Sequence, residues 1–105
     1  MGGKTVRVKV GSKSDFPDET LKTVSASDTL ILIANIAGEF YAIESKCPHQ
    51  GIPMEGGRRE GFILICRVHG AQFDIRTGKR VGGYPTRDLK TYPVYIEGED
   101  ISIDV

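Results

Sequence analysis

The sequence predicts an all-β barrel or sandwich. Apolar and polar residues alternate over short segments rich in β-branched residues. Turn-forming Gly, Pro, Asp and Ser separate those segments at short intervals, and no segment sustains a helical period. Thr5–Val10 sets Val6, Val8 and Val10 against Arg7 and Lys9, the pattern of a half-buried strand. Ser14–Glu19, with Asp, Pro and charged residues, reads as a loop. Leu21–Val24 and Thr29–Ile36 are β-rich, and the apolar stretch from Thr29 to Ala37 reads as a buried strand. Ala37-Gly38 is expected to turn the chain into Phe40–Ile43. Phe62–Cys66 and Ala71–Ile75 follow as strands, with a turn at Arg76–Lys79. Thr91–Glu97 alternates Tyr92, Val94 and Ile96 around Pro93, which confines that strand to an edge or a bulge. Gly98–Asp100 turns into the last strand, Ile101–Val105.

A chain of 105 residues is one domain with one modest core. Hydrophobic content of 39% and charged content of 27% are those of an ordinary globular chain, and the formal net charge is zero. Nothing in that balance indicates nucleic-acid binding. The charge is unevenly distributed. Residues 50–90 carry eight Lys/Arg and four Asp/Glu, and the remainder carries six and ten. One reading of the excess is a solvated surface, and the other is a basic rim that steers an acidic partner. No apolar run approaches the roughly 18 residues of a membrane helix, and the first residues lack an apolar signal region. The cytoplasm is therefore the expected compartment. One Asn and two Gln against eleven Ile point weakly to a heat-adapted source.

The chemistry is concentrated in two short clips, Cys47-Pro48-His49 and Cys66-Arg67-Val68-His69, which hold every Cys and every His of the chain. Two thiolates and two imidazoles can hold a tetrahedral zinc, or a [2Fe-2S] cluster in which two His replace two Cys on one iron. Structural zinc sites pair ligands of one kind, as C-x₂₋₄-C and H-x₃₋₅-H. Here each clip mixes the kinds, which suits a binuclear centre. Each clip can give its Cys to one iron and its His to the other.

C-x-H-x₁₆-C-x₂-H, followed by Gly70 and Phe73-Asp74, resembles the Rieske-type ferredoxins. GEFYAIESKCPHQG, CRVHGAQFDIRTGK and LKTYPVYIEGEDISIDV look like segments of that family in the same order, so the resemblance spans most of the chain from Val6 to Val105. It implies a small antiparallel β-sandwich or barrel, one domain over residues 1–105, with a cluster-binding subdomain at about 46–75. It implies a Rieske-type [2Fe-2S] cofactor with Cys47 and Cys66 on one iron and His49 and His69 on the other. Gln50, Gly51, Val68, Gly70 and Pro85 would stand around the cluster, Pro85 as part of a covering loop. Glycine at such places lets backbone N–H groups approach sulfur closely. Gly56 and Gly57 are further candidates for that role or for ordinary turns. Phe73, Tyr84 and Tyr92 read as core residues before electron conduits.

Two ferric ions, two sulfides, two thiolates and two neutral imidazoles sum to zero charge. A four-thiolate cluster starts two charges lower, so the imidazoles ease reduction and raise the potential. Within the family's range this chain is expected low. The respiratory type has hydroxyl side chains where Ala71 and Phe73 stand, and an extra Cys pair near the places of Ile52 and Val68. Arg67-Val68 also replaces the Pro and aromatic that the family often has between the second Cys and His. The resemblance implies a monomeric one-electron shuttle between a reductase and a terminal acceptor such as an oxygenase, without a catalytic site of its own. A complete oxygenase needs a further iron on two more His and a carboxylate, and both His are already committed. The rivals are a zinc-stabilised binding module, a small subunit of a larger oxidoreductase complex and a cluster-based redox sensor.

Overall fold

The computed structural model describes residues 5–48, 51, 53–68 and 70–105. Eleven strands occur in three antiparallel sheets among these residues. The first sheet joins β1 (Arg7–Ser12), β11 (Asp100–Asp104) and β10 (Val94–Glu97) in that order. The second runs β2 (Thr20–Ala26), β3 (Thr29–Ile36), β4 (Glu39–Glu44), β9 (Thr91–Tyr92). The third runs β5 (Arg58–Glu60), β6 (Ile63–Ile65), β7 (Gln72–Asp74), β8 (Arg80–Gly82). A single 3₁₀ turn at Lys13–Asp15 interrupts the loop between β1 and β2.

The unbroken apolar run of β3 has a plain cause. Successive side chains of a strand point to opposite faces, and both faces of β3 are covered. Leu32, Ala34 and Ile36 join Ile43, Leu64, Phe73 and Ile75 in a core shared with the third sheet. Ile31 and Ile33 join Phe16, Ala26, Ala42, Ile101 and Ile103 in a core shared with the first. The second sheet is thus the middle layer, and burial of each large aliphatic side chain in it stabilises the fold by about 1.5–3 kcal/mol.

Tight two-residue turns hold the register of this sheet. Ala26 stands opposite Thr29 across Ser27-Asp28, and Ile36 opposite Glu39 across Ala37-Gly38. All four turn residues have positive φ, as primed hairpin turns require. Ala37 adopts this conformation without glycine's freedom, and its neighbours hold it there. The Ala37 N–H donates to Glu19 Oε2 at 3.3 Å, and the Gly38 N–H to Asn35 Oδ1 at 3.1 Å. The buried Asn35 in turn donates from Nδ2 to the Phe16 carbonyl at 2.7 Å.

The expected single strand Thr91–Glu97 is two strands. Pro93 has no N–H to give to a ladder. On its N-terminal side β9 pairs with β4, with Tyr92 opposite Ala42, and on its C-terminal side β10 pairs with β11, with Val94 opposite Ile103. The Pro93 carbonyl accepts from the Asp104 N–H at 3.2 Å. Both strands are sheet edges, so the edge placement expected of Pro93 holds. Pro93 also passes the chain from the middle sheet to the first. Two short strands, β5 and β8, were not expected from the sequence. Arg58–Glu60 and Arg80–Gly82 are too charged or too glycine-rich to read as strands, and their pairing with β6 and β7 makes them so.

Replacing Asn35 by Ala strands the Phe16 carbonyl and frees the turn at Gly38. The expected loss is about 1–3 kcal/mol of stability, read by denaturant titration. A loss under half that range would mean the turn holds without the side chain.

Candidate metal centre

The first clip follows β4 and the second follows β6. Beyond Glu44 the chain leaves the middle sheet. The Ser45 carbonyl accepts from the Met54 N–H at 2.7 Å, and Lys46 bridges to Pro53, which closes a loop over Cys47. Glu55 in the next turn accepts from the Thr23 N–H at 2.7 Å, pinning the loop's far side to the outer edge of β2. Cys66 directly follows β6, and its N–H donates to the Ala71 carbonyl at 2.8 Å, so the second loop closes just before β7.

The two loops share one local form. The Cys47 carbonyl accepts from the Gly51 N–H at 2.7 Å, and the Cys66 carbonyl from the Gly70 N–H at 3.0 Å. Each turn spans five residues and ends on a glycine in the left-handed region, φ 68° at Gly51 and 76° at Gly70. A side chain is strained there, which is why glycine closes both loops. His49, Gln50, Ile52 and His69 lie outside the described residues.

Both thiols are in the core. Cys47 and Cys66 are 0% and 1% exposed, and they belong to the same apolar cluster as Met54, Leu64, Ala71 and Phe73. Two thiolates brought by separate loops into one apolar enclosure would be costly without a counter-charge, and a bound metal centre supplies it. The donor set and the matched loops therefore fit a cluster held from two sides.

Two close backbone approaches lie around the second loop. A Cβ on Gly83 would stand 1.8 Å from the Gly70 carbonyl oxygen and 3.1 Å from the Ala71 Cα. The backbone after β8 is thus pressed against the turn that follows Cys66. A Cβ on Gly57 would stand 2.4 Å from the Ile65 carbonyl oxygen, so that glycine lets the intervening segment lie against β6. Gly56 faces no such limit, its nearest neighbour being the Arg67 side chain at 3.7 Å. Val68, Tyr84 and Pro85 are exposed beside these turns. Phe73 is buried as expected and Tyr92 half-buried, but Tyr84 at 43% exposure is no core residue.

Four of the eight basic residues of segment 50–90 are engaged in ion pairs: Arg58 with Glu60, Arg59 with Glu19, Arg76 with Asp74 and Arg87 with Glu44. The last is a clamp that sequence reading missed. Arg87 donates from Nη1 and Nη2 to the two Glu44 oxygens at 2.8 and 2.7 Å, and the Lys90 N–H adds a bond at 2.8 Å. The Arg87 hydrogen bonds, then the Lys90 amide, outweigh burial and hold the Glu44 carboxyl below its ordinary value. The clamp ties the segment after β8 to the strand that delivers Cys47. Its two residues are 43 positions apart, with no sequence pattern to mark them. Gly83 left a faint signal, the Gly82-Gly83 pair before Tyr84-Pro85.

A family model, the Rieske [2Fe-2S] domain, matches residues 6–93. The chain belongs to the Rieske [2Fe-2S] domain family. Its cofactor is the family's Rieske-type [2Fe-2S] cluster. This Rieske chain is 38% identical over 93 residues to the 3-phenylpropionate/cinnamic acid dioxygenase ferredoxin subunit of Shigella boydii serotype 4, covering 88% of this chain and 87% of that one. It is also 38% identical over 97 residues to the biphenyl dioxygenase ferredoxin subunit of a Pseudomonas species (strain KKS102), covering 91% and 89%. Among solved structures, the Sphingomonas yanoikuyae B1 ferredoxin superposes with a TM-score of 0.85 at 27% identity, over 95% of this chain and 99% of that one. The Rieske fold and the all-β architecture read from the sequence agree.

Gly83→Ala is expected to push the second loop away from the segment after β8. Iron and acid-labile sulfide per chain should fall several-fold while the far-ultraviolet circular dichroism of the β-sheets is kept; full cluster loading would contradict the contact. Glu44→Gln should cost about 1 kcal/mol at neutral pH, because Arg87 is largely exposed and water screens the pair. A carboxyl held low stabilises the fold above its ordinary value of 4.5 and stops doing so as pH falls through its folded value. The difference between the two proteins should accordingly vanish in acid, and one that persists unchanged to pH 3 would assign the loss to packing.

Proposed function

We propose that this Rieske protein is a one-electron carrier that accepts from a reductase and donates to a terminal oxidoreductase, with the oxygenase of an aromatic-ring dioxygenase system as the best candidate. The observation that carries the reading is the pair of matched loops that bring two buried thiols into one apolar core. The names of the relatives, ferredoxin subunits of dioxygenases, support the setting.

Cys47 and Cys66 would hold one iron and His49 and His69 the other. Such a cluster supplies a reversible store for a single electron. The chain's own part is to position it and set its potential. The glycine turns at Gly51 and Gly70 fix the two loops at the same distance along the chain from their cysteines. Ala71 and Phe73 are fully buried beside Cys66 and bring no hydroxyl to donate to sulfur. Fewer hydrogen bonds stabilise the reduced state less, which places the potential in the lower part of the family's range. Gln50 flanks the first His in the chain, and Val68, Gly70 and Pro85 lie on the side of the second loop, Pro85 as part of a cover. Residues 46–75 would form the cluster-binding part of a single domain, and the pairing of β8 with β7 supports counting β8 with it.

With every His and Cys committed to the cluster, no catalytic site of its own is proposed. Among the described residues no helix is long and apolar enough to cross a membrane. Thiols kept as ligands suit the reducing cytoplasm, and a monomer suits a shuttle.

Electron paramagnetic resonance of the dithionite-reduced protein, with a redox titration, tests the reading. The expected result is the rhombic signal of a His-ligated [2Fe-2S] centre, lost in Cys47→Ser and in Cys66→Ser, with a midpoint below about +150 mV. Colourless protein carrying one zinc and no inorganic sulfide would overturn the carrier.

A further inference from the structure

A carrier needs a surface where its partner comes close to the cluster, so the location of that surface rests on the carrier reading. A cleft of about 550 Å³ opens beside the second loop, lined by Gly56, Gly57, Cys66 and Gly70 and by Arg58 and Arg67. No acidic side chain lines it among the described residues. Its two cations differ from Arg59, Arg76 and Arg87, which are committed to Glu19, Asp74 and Glu44. Arg80, also without an ion pair among the described residues, donates to the Gly83 carbonyl at 3.3 Å and does not line the cleft. Arg67 is exposed, lies over Gly56 and has no ion pair among the described residues. Arg58 touches Glu60 at 3.4 Å, with both side chains mostly in water, a contact of little worth that a better acceptor can replace.

Apolar surface gathers at the same place. Val68, next to Arg67, is 47% exposed, and Tyr84 is 43% exposed on the segment that Gly83 presses against Gly70. Exposed apolar side chains beside one weakly paired cation and one with no ion pair among the described residues are the composition of a transient protein interface, in which charge sets orientation and encounter rate. Three of the seven lining residues are glycine, beside Ile65, Cys66 and the two arginines, so an incoming side chain meets exposed backbone and two guanidinium groups, which bind carboxylates in a planar fork.

We propose that the Arg58–Arg67 cleft, flanked by Val68 and Tyr84, is the docking point for a carboxylate-bearing surface segment of the redox partner. Docking there sets the partner against the loop that carries Cys66. Within the basic excess of residues 50–90, Arg58 and Arg67 are the two that line this cleft.

The test follows oxidation of the reduced, cluster-loaded protein by stopped flow, with the trianion hexacyanoferrate(III) and the trication hexaammineruthenium(III) as probes. Taking each variant's rate relative to wild type cancels the different driving forces of the two reagents. In Arg67→Glu the anion-to-cation rate ratio should fall roughly tenfold at low salt, and the effect should fade as ionic strength rises. Arg67→Lys should retain most of the wild-type ratio. Lys13→Glu, the same change of charge in the turn after β1, should leave it nearly unaltered. Hexa-aspartate should slow transfer to hexacyanoferrate in wild type and have no effect in Arg67→Glu. Equal effects of Arg67→Glu and Lys13→Glu, or no competition by hexa-aspartate, would overturn the docking point. The visible and paramagnetic spectra of each sample keep the two readings apart: an intact cluster with an unchanged ratio removes only the docking point, whereas a missing cluster removes the carrier and the docking point with it.

Discussion

Strand β3 is covered on both faces, and the rest of the molecule is arranged around that burial. One face, through Ile31 and Ile33, holds the sheet of β1, β10 and β11. The other, through Leu32, Ala34 and Ile36, packs on the same apolar cluster that encloses Cys47 and Cys66. The two cysteine thiols are therefore part of the core that folds the domain. A small domain gains from such sharing, because its single core leaves little margin and a bound centre adds cross-links between distant parts of the chain. Cys47 follows β4 and Cys66 follows β6, so a cluster held by both would tie the middle sheet to the third.

Precision at the loops comes from contacts that exclude side chains. Gly83 and Gly57 let backbone approach backbone at the two ends of the second loop, where a single methyl group would collide with a carbonyl. The Glu44–Arg87 clamp closes the other side, holding the segment after β8 against the strand that enters the first loop. These features surround the cysteines with structure from four separate stretches of chain. Rigid support of that kind limits rearrangement around a redox centre when its charge changes, which favours fast transfer of an electron.

Much of the fold was legible because period and turn chemistry are local. β3 was read at its observed bounds, and β2, β4, β6, β7 and β11 were placed within a few residues. The run from Thr29 to Ile36 showed no alternation, the mark of a strand buried on both faces. β5 and β8 were missed because they are strands only by virtue of their partners. Pro93 was placed at an edge, but its transfer of the chain between two sheets depends on where β4 and β11 lie. The candidate ligands were legible from four residues of two types at a spacing that mixed them, and membership of the Rieske family agrees with that pattern.

By itself the sequence determined which chemistry this protein can do, because ligand identity and spacing are properties of the chain: soft sulfur and imidazole in two clips admit few centres. It also determined the β architecture, since alternation and turn residues act over a handful of neighbours. Tertiary structure alone decided that Gly83 meets Gly70, that Glu44 meets Arg87, and that Arg67 is left without an acid among the described residues while Arg59, Arg76 and Arg87 are engaged. Each of those facts is a distance between residues or segments brought together by packing, and with no local periodicity to mark them they exist only once the three sheets have closed on β3.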